Sequence, residues 1–219
     1  MKNWKNSMKY GALAVLLMLI VIMACGRKSM VRKYYLIEMP ALADSARWYK
    51  ELPGAATCEI REVEVNPVFA GNDIALRRQS HEVTYYRYHQ WAVKPADLVS
   101  AILVNYLENQ GLFDNVQSRF WGETPDYSLQ TRIKHLELIE EKKQLAAHLH
   151  IEFILFKNGS GQQVVSHQAD RYVPLKKRNI NLFAAEISSI LMQEVRTMSE
   201  RIAEEMMAEQ DAGNASGKQ

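Results

Sequence analysis

The side chains best placed to do chemistry are His148, His150 and Glu152. They alternate within Leu145-Ala-Ala-His-Leu-His-Ile-Glu-Phe-Ile-Leu155, whose apolar residues keep mostly to odd numbers. Strand alternation puts all three on one face, and imidazole and carboxylate are groups that bind zinc. The same pattern also describes the wet face of a half-buried strand, with Leu149, Ile151 and Phe153 on the dry side. No fourth ligand can be named from the sequence. The strand-face reading is therefore preferred, and no metal site is expected.

Other reactive patterns are absent. No glycine-rich turn ends in Gly-Lys-Ser/Thr, so any ATP use belongs to another chain. Gly159-Ser-Gly161 lies between two strand-like runs and reads as a hairpin turn. No serine sits in a nucleophile elbow, and neither Asp126 nor Asp170 is tied to a histidine by spacing. A non-enzyme without a dissociable cofactor is expected. Tyr85, Tyr86, Tyr88 and Trp91 are different in kind: they serve either the core or a contact surface for a partner or apolar ligand.

Cys25 ends an apolar run, Gly11-Ala-Leu-Ala-Val-Leu-Leu-Met-Leu-Ile-Val-Ile-Met-Ala-Cys25, preceded by Lys2, Lys5 and Lys9 without an acidic residue. A basic segment, a short apolar segment and a small residue at Ala24 make a secretory signal. The run is shorter than the roughly 20 residues that span a bilayer. Ile22-Met23-Ala24-Cys25 resembles the bacterial lipobox. That resemblance implies a diacylglycerol on the Cys25 thiol, cleavage before it, and an N-acyl chain on the new terminus. Cys58, the second of two cysteines, then has no partner and reads as a small buried hydrophobe. Of 27 basic and 25 acidic residues, three lysines leave with the signal, so the remainder carries a net charge of −1. No basic field argues for nucleic acid.

Around these residues the expected architecture is α+β: a single domain with a mainly antiparallel sheet packed on one side by two helices. Residues 1–24 are the signal, 25–32 the lipidated tether, 33–208 the domain, and 209–219 a disordered tail. A strand runs from Lys33 to Met39, closed by Pro40, with a loop over Ala41 to Gly54. Thr57 to Val65 reads as one strand with a wet face. Asp73 to Arg78 and Glu82 to Tyr88 form a hairpin through Gln79-Ser80-His81. Pro95 opens a helix with apolar residues at Leu98, Val99, Ile102, Leu103, Tyr106 and Leu107, and Gly111 stops it. Val116 to Phe120 is a short strand. From Tyr127 the apolar residues sit on odd numbers to Ile133, then on even numbers at Leu136 and Leu138. A β-bulge near Lys134-His135 is therefore predicted. Asn158 to Gly161 turns the chain into a strand over Gln163 to Val173, closed by Pro174. The last helix runs from about Asn181 to about Ala208.

The lipobox cysteine, Tyr34-Tyr-Leu-Ile-Glu-Met-Pro40, the hairpin leading into Tyr88-His-Gln-Trp-Ala92 and Pro95, and the long final helix together resemble the ABC-type transport auxiliary lipoproteins. Gln90 and Val93 stand where that family commonly has an arginine and an acidic residue. The resemblance implies a non-catalytic lipoprotein of an envelope system that moves lipid or other apolar substrates between membranes. It implies as partners a permease, an ATPase and a substrate-binding protein with a mammalian-cell-entry (MCE) domain, with membrane contact through the lipid anchor and room for a homo-oligomer. Gly26 after Cys25 resembles outer-membrane sorting, facing the periplasm. The alternative is a structural or assembly lipoprotein of cell-wall or outer-membrane machinery. Cys25→Ala should leave the domain folded and abolish transport function. Full transport by that variant as a soluble periplasmic protein would show the anchor to be dispensable.

Overall fold

The computed structural model describes residues 31–39, 56–142 and 144–216. The signal, Cys25 and the expected loop from Ala41 to Gly54 lie outside the described residues. In chain order the elements are β1 (Lys33–Tyr35), β2 (Thr57–Ile60), β3 (Glu64–Val65), β4 (Asp73–Gln79), β5 (Glu82–Trp91), α1 (Pro95–Gln110), β6 (Asn115–Gln117), β7 (Tyr127–Glu141), β8 (Gln144–Lys157), β9 (Gln162–Leu175) and α2 (Ile180–Ser216). From Arg32 onward the chain forms one compact unit. Among the described residues no helix is long and apolar enough to cross a membrane.

β7 organises an open mixed sheet. One of its edges pairs antiparallel with β8 along its whole length, and β8 pairs antiparallel with β9. Its other edge takes three short strands end to end, all parallel: β2 at Tyr127–Leu129, β3 at Arg132–Ile133 and β4 at Glu137–Ile139. β4 continues through the antiparallel hairpin partner β5 to β1, and β2 continues to β6. The long ladders are thus antiparallel, and the short strands on the opposite edge of β7 are parallel.

The predicted bulge is present. The β7–β8 register slips between Ile133 and His135. Before it, Leu129, Thr131 and Ile133 face the core; after it, Leu136 and Leu138 do. A matching break divides the segment expected as one strand into β2 and β3. Cys58 and Ile60 are buried on even numbers but Val63 on an odd one, and alternation cannot serve both without an irregular residue between them. Pro174, expected to end β9, lies within it opposite Ala146. β9 is an edge strand, where a missing N–H costs no ladder bond.

Both helices pack on the sheet around one continuous core. In α1 Pro95 occupies the first turn and Asp97 places negative charge at its positive end. Val99, Ile102, Leu103, Tyr106 and Leu107 are buried at helical spacing. Gly111 takes the left-handed conformation at φ 68°, and its N–H caps Glu108 O. In α2 Phe183, Ile187, Ile190, Leu191, Val195, Met198 and Ile202 form the buried stripe against β8 and β9. The helix continues to Ser216 rather than stopping near Ala208, so most of the expected disordered tail is helical. Ala208, Ala212 and Ala215 are strong helix formers, and the Glu209 carboxylate holds Lys157 Nζ at 2.8 Å.

Thr131 is buried in the core with its hydroxyl unpaired. A buried, unpaired hydroxyl costs about 1–3 kcal/mol, and valine is close to its shape. Thr131→Val should therefore raise the urea midpoint without changing the slope of unfolding. A lower midpoint would show that the hydroxyl is satisfied in solution.

Candidate functional site: a histidine–carboxylate cluster on the open face of the sheet

The face of the sheet turned away from the helices carries Arg77 from β4, His135 and Glu137 from β7, His148, His150 and Glu152 from β8, and Asp170 and Tyr172 from β9. The bulge presents His135 there, because the extra residue returns the odd positions of β7 to the outer side. Alternation in β8 and its register with β9 set the rest: His148 lies opposite Tyr172 and His150 opposite Asp170.

Glu137 is at the centre, with its side chain only 1% exposed. Arg77 Nε donates to both carboxylate oxygens at 3.0 Å, and Arg77 Nη2 lies 3.0 Å from Oε2. His135 Nδ1 and His148 Nδ1 approach Oε1 at 3.2 and 3.3 Å. Burial pushes the Glu137 carboxyl up. The hydrogen bond from His148 and the Arg77 guanidinium outweigh that, leaving it below the usual glutamate range.

His148 is buried, and its Nε2 lies 2.8 Å from Asp170 Oδ1. Both of its nitrogens therefore face carboxylate oxygens. Two simultaneous hydrogen bonds require the imidazolium. In the neutral ring with its hydrogen on Nε2, Asp170 keeps its bond and the Nδ1 lone pair points at Glu137. Tyr172 covers the His148 ring at a centroid distance of 4.0 Å, His135 stacks on its other side at 4.8 Å, and Phe69 packs on His135 at 5.7 Å. Burial lowers the His150 pKa, opposed by Asp170.

The triplet His148, His150 and Glu152 does share one face, but the structure does not bring it together as a ligand set. Glu152 is engaged by Arg132 and Lys134, each at 3.2 Å. His150 Nε2 meets the Gln168 amide at 2.7 Å. The compact group is instead His135, Glu137 and His148, whose ligand atoms lie within 4.8 Å of one another. The link from His148 to Asp170, which spacing did not reveal, depends on a slip in the β8–β9 register between Leu155 and Phe156. The link from Glu137 to Arg77 spans a parallel pairing that no local pattern announces.

The aromatic cluster divides. Trp91 belongs to the core rather than to a contact surface: it is 2% exposed and packs on Phe183 at 5.7 Å. Tyr86 is half-buried, with its ring nearly perpendicular to that of His89 and its hydroxyl unpaired. Tyr88 is half-buried. Tyr85 is 51% exposed, and its hydroxyl donates to Val68 O at 3.1 Å. Cys58 is fully buried in β2, and burial pushes its thiol up to about 12, consistent with a packing role.

Residues 36–199 match the family described as ABC-type transport auxiliary lipoprotein component. No curated protein matches the chain. A solved structure described only as an uncharacterized protein is 15% identical with a TM-score of 0.62, over 78% of this chain and 99% of its own. Protein XCC0632 from Xanthomonas campestris is 16% identical with a TM-score of 0.59, over 84% of this chain and 98% of its own. At these identities the likeness is one of fold.

Glu137→Gln leaves Arg77 facing a neutral amide in a water-poor site. Breaking a buried ion pair by removing one partner costs about 3–5 kcal/mol, and the partial exposure of Arg77 favours the lower end. Urea unfolding at neutral pH should show that loss. An unchanged midpoint would mean that the cluster is neutral for stability.

Proposed function

We propose that this chain, which belongs to the ABC-type transport auxiliary lipoprotein component family, docks the periplasmic substrate-binding protein of an ABC system carrying lipid or another apolar substrate. The observation that carries this reading is the extent of the family match. Residues 36–199 take in β2 to β9, α1 and the first half of α2. The docked protein would contain an MCE domain, and the permease and ATPase would supply the energy that this chain has no nucleotide motif to harvest. Cys25 would carry the diacylglycerol and N-acyl lipid, since stable anchoring takes more than one acyl chain. The domain would then face the periplasm, with the outer membrane as its anchoring bilayer.

The role is non-catalytic: the chain presents a surface, and the exposed ring of Tyr85 is its natural contact point. Aromatic residues that are exposed in the free protein and amphipathic in chemistry are favoured at such interfaces. Trp91 supports that strand from the core and Tyr86 from its half-buried side. Affinity capture of the full chain from detergent-solubilised envelope should recover an MCE-domain protein with its permease and ATPase. Tyr85→Ala should reduce that recovery while leaving the thermal unfolding midpoint unchanged. Capture that returns no ABC or MCE component would count against the docking role.

A further inference from the structure

We propose that His135 Nδ1, Glu137 Oε1 and His148 Nδ1 form a binding site for a divalent transition metal of the zinc type, with a fourth position open to solvent beside His135. Two histidines and a glutamate are a recognised zinc set in sites that keep one position for water.

The spacing of the ligand atoms supports this. Zinc–ligand bonds near 2.0–2.1 Å put neighbouring tetrahedral ligands about 3.3 Å apart. Glu137 Oε1 already lies 3.2 Å from His135 Nδ1 and 3.3 Å from His148 Nδ1. One ring nitrogen of each histidine and a Glu137 oxygen all lie within 4.8 Å of one another. His135 and His148 stack with their ring planes 23° apart, so a shared ion requires the His135 ring to turn. His135 has the freedom to do so, with 36% of its side chain exposed, whereas His148 is held at 3%.

The surroundings are those of a prepared ligand set. A metal-bound histidine normally gives its other ring N–H to a carboxylate, which fixes the tautomer and orients the ring. Asp170 Oδ1 stands 2.8 Å from His148 Nε2, in that position. An ion that replaces the proton between His148 Nδ1 and Glu137 Oε1, across 3.3 Å, satisfies both groups while Asp170 keeps the hydrogen on Nε2. Arg77 Nε donates to both Glu137 oxygens while Nη2 lies on Oε2 alone, so Oε1 carries the lighter share of the guanidinium and keeps a lone pair for an ion. Tyr172 and Phe69 shield the cluster. An ion there would tie the β7 bulge to β8.

The test uses the untagged full chain in detergent, stripped with a chelator, titrated with Co²⁺ and then challenged with Zn²⁺. One Co²⁺ per chain is expected, with the visible absorption of a four-coordinate nitrogen–oxygen site, and Zn²⁺ should displace it. His135→Ala, which removes a part-exposed side chain without opening the core, should weaken binding by more than about 100-fold, and Asp170→Ala by about 10–100-fold. His81→Ala, on the exposed β4–β5 turn, should bind as the parent does. Absence of saturable binding would show that protons alone hold the cluster together, and equal binding by His135→Ala would assign the metal to other histidines. Either result overturns the proposal.

Discussion

One extra residue in β7, between Ile133 and Leu136, constrains much of what surrounds it. A fifteen-residue strand with uninterrupted alternation would turn either its first or its last apolar residues to water. The slip lets Leu129, Ile133, Leu136 and Leu138 all reach the core. It also sets the outer face, where Lys134 and His135 both emerge and Glu137 follows. The β2–β3 break lies before that slip: Ile60 pairs with Leu129 and Glu64 with Arg132, so the short strands carry one extra residue of their own past Gln130 and Thr131.

Each side of the sheet contains a carboxylate that has been taken out of water with its partners. On the outer side Glu137 lies among Arg77, His135 and His148. On the helix side Glu194 of α2 lies among His167 Nε2 at 2.8 Å and Arg171 Nε at 2.6 Å, both on β9. Buried ion pairs add little net stability but punish any arrangement that separates them. Glu194 therefore fixes the register of α2 on β9, a constraint that a greasy helix stripe alone leaves loose. Glu137 does the same for β4 on β7, where the parallel pairing is only three residues long.

Features governed by local periodicity were legible in the chain: the span of α1 from Pro95 to Gly111, the hairpin turns, and the bulge, which shows as a change in numerical parity. Features governed by distant pairing were not. Arg77 and Glu137 are 60 residues apart, and nothing near either residue announces the other. Asp170 was not legible either: counted from the turn, Ala169 falls opposite His150, and only the slip between Leu155 and Phe156 brings Asp170 there. Trp91 was ambiguous because its strand alternates poorly; a break in the β4–β5 register between Asp73 and Ala75 intervenes before it. The polar composition beyond Ala208 suggested disorder, whereas its alanines and the Glu209–Lys157 contact carry the helix on.

β1 joins the sheet through three residues on the outermost rim, alongside the end of β5. The stitches beyond it are the Ala92 N–H to Tyr35 O, at 2.8 Å, and the Glu38 N–H to Ser188 Oγ, at 3.0 Å. Mechanically the fold is thus strongly anisotropic. Tension applied from the N-terminal side falls first on this short seam, while the fourteen-residue strands β8 and β9 remain unloaded. Behind the seam, Ile37 is buried in the core, so peeling beyond β1 draws a core side chain out with it. A pull from that side is therefore met in two steps, by a three-residue seam first and by the Ile37 side chain in the core behind it.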